Sequence, residues 1–311
     1  MISSDHFTLH EVAPGVYAAL ARPGSAAICN STIVDLGDRT LVVDTFQTLS
    51  AADDLLAAAR DLTGRSAALV VNTHWHGDHV GGNPVFQGAE ILATPRTVEL
   101  VAEHQSPDVE TYTEEIDELL RFADERLSDP AIGDDERALM ERSKLVAETA
   151  LVDAPRWRLT LPTAMEGDLL EVVGSARTAE VLTFGGGHTE SDAFVHLPAD
   201  RLIVAGDLLF IDVHPRIQDG DPAAWAAILD RIAALGPIRV VPGHGPLGGP
   251  NHLVGFAEYL RQVADLVADT AAHPGSDPAQ RHPVPEGSET WGRRARLWED
   301  VRALAERGGG A

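Results

Sequence analysis

Thr73-His74-Trp75-His76-Gly77-Asp78-His79 sets three imidazoles and a carboxylate within six consecutive positions, His74 to His79. Crowding polar rings on one turn brings a protein no stability, so the cluster asks for a chemical reason. Imidazole nitrogen is the commonest metal donor in proteins, and aspartate supplies a hard anionic oxygen beside it. The preceding Ser66-Ala67-Ala68-Leu69-Val70-Val71-Asn72 is a short apolar run of strand type. The cluster therefore lies where a buried strand spills into a loop. A rigid strand fixes such a loop, and the loop backbone lets several side chains converge.

Outward from this point, residues 7–20 and 28–44 alternate as paired strands do, with Gly37-Asp38 as a turn. Ser50 to Leu62 reads as an amphipathic helix closed by Gly64. A strand over 89–93 follows the histidine cluster. Between Arg96 and Pro155 the pattern becomes helical and acidic. Residues 95–155 hold 17 acids and 6 bases, which is 11 of the 24 excess negative charges. Ile116, Leu119, Leu120, Ala123 and Leu127 form one helical stripe, and Leu139, Leu145, Val146 and Ala150 another. Such a hairpin serves as a solvated arm packed on the body, as a lid or wall over a site, or as the interface of a homodimer. Strands return over 156–161, 168–173, 178–183, 192–197 and 201–205, then a helix (222–234), a strand (238–241) and a helix (252–269). Residues 271–287 read as a surface linker, and 291–306 as a helix docking through Trp291, Leu297, Trp298, Val301 and Leu304. Strands first in each half, with helices interspersed, favour an α+β fold of two packed sheets with helices outside. The expected division is one domain over 1–270, carrying the arm at about 95–155, and a linker with docked helix over 271–311.

The chain has 311 residues and a net charge of −24, from 48 acids and 24 bases, of which Lys144 alone is lysine. Such a surface repels phosphate backbones and anionic lipid headgroups, so neither nucleic acid nor membrane is an expected partner. No apolar run approaches the roughly 18 residues of a membrane span, and Met1 to His6 lacks the pattern of a signal peptide. The expected location is cytoplasmic. The single cysteine, Cys29, excludes an internal disulfide and a thiolate-based zinc site, and its apolar context reads as a buried structural thiol.

Three further polar residues interrupt apolar context at strand exits. His188 follows Phe184-Gly185-Gly186-Gly187, Asp207 ends Leu202-Ile203-Val204-Ala205-Gly206-Asp207, and His244 sits in Pro242-Gly243-His244-Gly245-Pro246. Singly, each reads as a turn residue. With the first cluster they make seven nitrogen and oxygen donors, too many for one tetrahedral ion and suited to two ions sharing a carboxylate.

Here the chain resembles the metallo-β-lactamase superfamily over about residues 12 to 250. His74-x-His76-x-Asp78-His79 matches the HxHxDH motif, and His188, Asp207 and His244 follow in the order of the later motifs. Asp44, ending Leu41-Val42-Val43-Asp44, matches the strand-end aspartate that precedes HxHxDH. The resemblance implies a four-layer αββα sandwich with the site at one edge of the sheets. It also implies His74, His76 and His188 on one metal, Asp78, His79 and His244 on a second, and Asp207 bridging them. Two Zn2+ are the expected ions, with iron or manganese as alternatives. Two metals so placed lower the pKa of a shared water and yield hydroxide near neutral pH. The implied activity is hydrolysis of an ester, thioester, lactone or amide (lactam) carbonyl of a small molecule, with Asp78 as proton acceptor.

No cysteine occupies a second-metal position, unlike the commonest zinc β-lactamases. The tyrosine that lactone-cleaving relatives carry after the bridging aspartate is absent, and Phe210 stands there instead. His214 is a candidate for supporting a ligand or orienting substrate, His196 reads as structural, and Trp75 and Phe210 as pocket-lining or packing residues. Competing readings are a β-lactamase proper, a mononuclear iron oxidoreductase resembling the sulfur dioxygenases, and a metal-bearing scaffold. The substrate, the ion used in the cell and the oligomeric state are left open.

Overall fold

In the computed structural model, which describes residues 4–308, two β-sheets pack face to face with helices on both outer surfaces. The first sheet contains β1 (Phe7–Ala13), β2 (Val16–Ala21), β3 (Ser31–Asp35), β4 (Thr40–Val43), β5 (Ala67–Val71), β6 (Glu90–Ala93) and β7 (Thr163–Ala164), in that spatial order. Its pairing is antiparallel from β1 to β4 and parallel from β4 to β7. The second sheet contains β8 (Leu169–Val173), β9 (Thr178–Thr183), β10 (Ala193–Leu197), β11 (Leu202–Phe210) and β12 (Arg239–His244), ordered β12-β11-β10-β9-β8. Only β11 and β12 run parallel there.

Period-two alternation sorts the strand residues between layers. Leu41 and Val43, Leu69 and Val71, Val195 and Leu197, and Leu202 and Val204 all enter the core between the sheets. Their neighbours Val42 and Val70 face outward beneath α1 (Leu49–Thr63), and Phe194 and Ile203 face the opposite helical layer. Thr48 caps α1, accepting from the Ala51 N–H, and Gly64 closes it at φ 72°. A short α2 (Gly77–Val80) lies inside the histidine cluster.

The acidic region forms α3 (Pro95–His104), α4 (Val109–Ser128) and α5 (Asp134–Asp153), the last two packed as a hairpin. Ile116, Ala147 and Ala150 make one small core between them, and Ala123, Ile132 and Met140 another. Asp153 ties the hairpin to α1, its carboxylate accepting from the Ser50 N–H and hydroxyl, both at 2.8 Å. The second sheet is covered by α6 (Pro222–Ala234) and α7 (Pro250–Ala272), then by α8 (Pro278–Arg281) and α9 (Arg294–Gly308). Among the described residues no helix is long and apolar enough to cross a membrane.

The strand expected over 156–161 does not form. Trp157 stacks on Tyr112 of α4 at 4.4 Å, and Pro162, which has no N–H to give a ladder, closes the segment. Residues 271–287 are less of a surface linker than expected: α8 forms there, and Pro278 and Val284 are buried. Trp291 lies ahead of α9 rather than within it, while Leu297, Trp298 and Val301 dock as expected.

Candidate metal centre

All seven donors collect where the two sheets open at the ends of β4, β5, β11 and β12. Asp44, at φ 62°, ends β4 and organises the loop that follows β5. Its carboxylate accepts from the Thr73 N–H (2.8 Å) and hydroxyl (2.9 Å) and contacts His79 Nδ1 at 2.7 Å. That contact turns His79 Nε2 toward Asp207 Oδ1, 3.1 Å away. Asn72 and Thr45, which the sequence did not single out, hold the His79 carbonyl from beneath.

His188 rests on a loop after β9 that Asp192 organises. The buried Asp192 carboxylate accepts from the N–H groups of Gly187, His188 and Thr189 and from the Thr189 hydroxyl. Burial pushes its pKa up to about 6 against those hydrogen bonds. Close backbone approach brings β11 against the loop after β5 and against β12. Gly206, at φ 53°, is pressed against Thr73, and a methyl group at Gly243 would collide with the Asp207 carboxylate.

Two donor groups share Asp207, and a third joins Cys29, Asp78 and His79. His76 Nδ1 lies 3.0 Å from both His74 Nε2 and His188 Nε2, so three imidazole nitrogens point at one spot beside Asp207. His79, Asp207 and His244 form the second group, and Asp78 Oδ2 lies 3.3 Å from His244 Nε2. Asp207 belongs to both, its Oδ2 being 3.3 Å from His188 Nε2 and 3.3 Å from His244 Nε2. Burial drives His188 down to about 3 and His74 well below its ordinary value, so both imidazoles are neutral and keep lone pairs. Burial opposes charge on Asp207 and Asp78. The neighbouring His244 and His79 outweigh it, and hold both carboxyls well below the usual carboxylate range.

Hydrogen bonding alone does not account for this set. His79 Nε2 and Asp207 Oδ1 are buried and facing, yet neither makes a hydrogen bond within the protein. Buried polar atoms without partners cost about 1–3 kcal/mol each, and a divalent cation is a partner that imidazole nitrogen and ionised carboxylate can share. The residues fit divalent metal.

Asp219, missed in the sequence, contacts His76 Nε2 at 3.1 Å and is itself held by Arg216. Despite the cost of burial, His76 and Arg216 keep its pKa at about 2. Only the fold carries that signal, since 143 residues separate the pair. Cys29 is buried as expected but lies directly behind the donors, giving its S–H to the Asp78 carbonyl. Burial raises it to about 12, against the influence of His79, and leaves it a neutral thiol. His214 takes neither role considered for it. It is fully buried against Trp291, and its Nδ1 meets Tyr259 Oη at 2.9 Å, so it supports the C-terminal segment instead of a donor. His196 pairs with Glu180 in the sheet.

The donors form the floor of a cavity of about 410 Å3. Trp75, stacked on His104, and Phe210, stacked on His244, line it from the body. The inner faces of α4 and α5 close the far side through Ile116, Leu119, Leu139 and Val146. Thus the acidic hairpin walls the donor cluster.

A family model described as "Metallo-beta-lactamase superfamily" matches residues 24–244. The chain belongs to this superfamily. Among curated relatives, the linear primary-alkylsulfatase of Pseudomonas sp. is 21% identical over 252 residues, 76% of this chain and 44% of that protein. This chain thus spans less than half of the alkylsulfatase. The metallo-beta-lactamase type 2 of Bacteroides fragilis is 22% identical, over 79% of this chain and 78% of its own. Solved structures agree in fold. A metallo-beta-lactamase from Pontibacter korlensis superposes with a TM-score of 0.58 at 18% identity, covering 81% of this chain and 98% of that one. The mono-zinc form of FIM-1 from Pseudomonas aeruginosa gives 0.60 at 16%, covering 83% and 96%. These likenesses establish the αββα architecture of a superfamily member.

Proposed function

We propose that this protein is a hydrolase that holds two divalent cations, with zinc the leading candidate. His74, His76 and His188 would bind one, Asp78, His79 and His244 the other, and Asp207 both. The observation that carries this reading is the position of Asp207, in reach of His188 on one side and of His79 and His244 on the other. When bound, such a pair supplies Lewis acidity and acidifies water near neutral pH. The chain's own residues do the rest. Asp44 fixes the tautomer and direction of His79, and Asp219 does the same for His76. Asp78, kept ionised, accepts a proton from the attacking water at its carboxylate. Trp75, Phe210 and the α4–α5 face exclude bulk solvent and hold the substrate's apolar part.

Ester, thioester, lactone and lactam carbonyls are the candidate bonds of a small-molecule substrate. The alkylsulfatase likeness adds a primary alkyl sulfate to the panel. Metal analysis of the purified protein alongside that panel tests the reading. The expected result is about two zinc ions per chain and hydrolysis without oxygen uptake. One iron per chain with thiol-dependent oxygen consumption overturns it in favour of a dioxygenase. Full metal content with no turnover on the whole panel overturns the assigned bond classes.

A further inference from the structure

The cavity above the donors is lined by four arginines, and three of them have no carboxylate partner. Arg142 comes from α5, Arg216 from the loop after β11, Arg293 from the residue before α9 and Arg296 from its first turn. Arg216 pairs with Asp219 at 3.1 Å. Arg142, Arg293 and Arg296 make no ion pair among the described residues, although the chain has twice as many acids as bases. Elsewhere several guanidiniums of similar exposure find partners, Arg65 with Asp35, Arg126 with Glu136 and Arg177 with Asp200, although Arg137 does not.

The three unpaired groups are half-buried and close enough to disfavour one another's charge. Burial first, then Arg142 and Arg296, brings Arg293 down to about 10 against the pull of Asp78 and Asp207, and burial, then Arg296, lowers Arg142 against the pull of Asp78. Mutual repulsion of half-buried cations destabilises the fold, so packing gives no reason to gather them. Arg293 also adopts a left-handed backbone at φ 65°, which costs a side-chain-bearing residue. The segment is pinned in that course by its bridge to the loop after β11, with Gly292 and Asp212 joined through Gly292 N–H and His214 N–H bonding to Gly292. Guanidinium is the fork that matches carboxylate, sulfate and phosphate oxygens. Ile116, Leu119, Leu139 and Val146 make the α4–α5 side of the wall largely apolar, with Ser143 among them.

We infer that the substrate is an amphiphilic anion, whose carboxylate, sulfate or phosphate group is held by Arg142, Arg293 and Arg296 while its apolar part lies against α4 and α5. This rests on the hydrolase reading for the reaction, but its binding half can be read without turnover. Calorimetric titration of the purified protein, before and after metal removal, with octanoate, 1-octanesulfonate, octylphosphonate and neutral 1-octanol separates the three oxyanions from the alkyl chain.

At least one anion should bind at least about ten-fold more tightly than octanol, with or without metal, and less tightly as NaCl rises. Arg293→Gln and Arg142→Gln should each weaken that anion about ten-fold or more and leave octanol and metal content unchanged. Arg293→Lys, which keeps the charge, should retain part of the affinity and controls for a folding defect. Equal binding of octanol and all three anions, or anion affinity untouched in Arg142→Gln/Arg293→Gln, overturns the inference. The two readings fail separately. Anion binding without turnover on any panel substrate removes the hydrolase assignment alone. Equal kcat/KM for 4-nitrophenyl butyrate and the 4-nitrophenyl monoester of adipic acid, without anion binding, removes the anion site alone.

Discussion

At the floor of the cavity each imidazole that faces the centre is held from behind. Asp44 holds His79, Asp219 holds His76, the Thr73 hydroxyl meets His74, Phe210 stacks on His244, and Asp192 fixes the loop carrying His188. At the wall, Arg142, Arg293 and Arg296 point into the same cavity and pair with no acid. The difference separates two tasks. A cation needs its ligands aimed before it arrives, so the outward nitrogens of His74, His76 and His79 meet protein partners, while His188 is aimed through its backbone and His244 by stacking. A substrate leaves after every turnover, so the groups proposed to grip it carry no carboxylate partner, Arg142 donating only to the Ile28 carbonyl at 3.1 Å.

The sharpest way to break this contrast is to remove the carboxylate common to both donor groups. Asp207→Ala should cut activity more than about 100-fold, beyond the range for outer-shell partners, and metal analysis should show a matching loss of ion. A variant that kept its metal would dissolve the distinction between floor and wall. Next comes Asp192→Ala, which strands the N–H groups of Gly187, His188 and Thr189. Chemical denaturation should report a loss of about 2–4 kcal/mol; an unchanged midpoint would mean that the loop is held by other contacts.

Asp44→Asn keeps a residue that tolerates the left-handed backbone and removes the charge that faces His79. Metal affinity or activity should fall about 10–100-fold, with thermal stability changing little by comparison. The smallest effect belongs to His214, which burial, aided by Arg294, holds down to about 4 against an ordinary 6.5. Between those values the unfolded chain takes up a proton that the folded chain refuses, so stability falls as pH drops from 6.5 toward 4. In His214→Asn that share of the slope should vanish, a difference on the order of a few degrees in Tm between pH 7 and 4.5. Equal slopes in both proteins would place the titration elsewhere.

The legibility of the site follows the same division. His74, His76, Asp78 and His79 were readable because they share one loop, and His188, Asp207 and His244 because each is a polar residue beside glycine next to an apolar run, although the structure carries β11 past Asp207 and leaves His188 on the loop after β9. Asp44 was marked by the same strand-end position. Asp219 and Asp192 sit in polar loops where aspartate is ordinary, and nothing local distinguishes them. Cys29 was read correctly as buried, but its contact with the Asp78 carbonyl spans 49 residues. The missing strand over 156–161 shows the converse, an alternating stretch whose Trp157 was taken by a tertiary partner, Tyr112, in place of a ladder.

By itself the sequence determined the two-sheet fold and the donor list, because alternation and strand-end placement are local properties that survive whatever surrounds them. Tertiary structure decided what those donors face. Arg142 is one arginine of an acidic helix, and Arg293 and Arg296 are two of a basic C-terminal stretch; only folding brings them over one cavity. Charge reads as solvated surface along a chain, and becomes recognition where burial removes both water and partner.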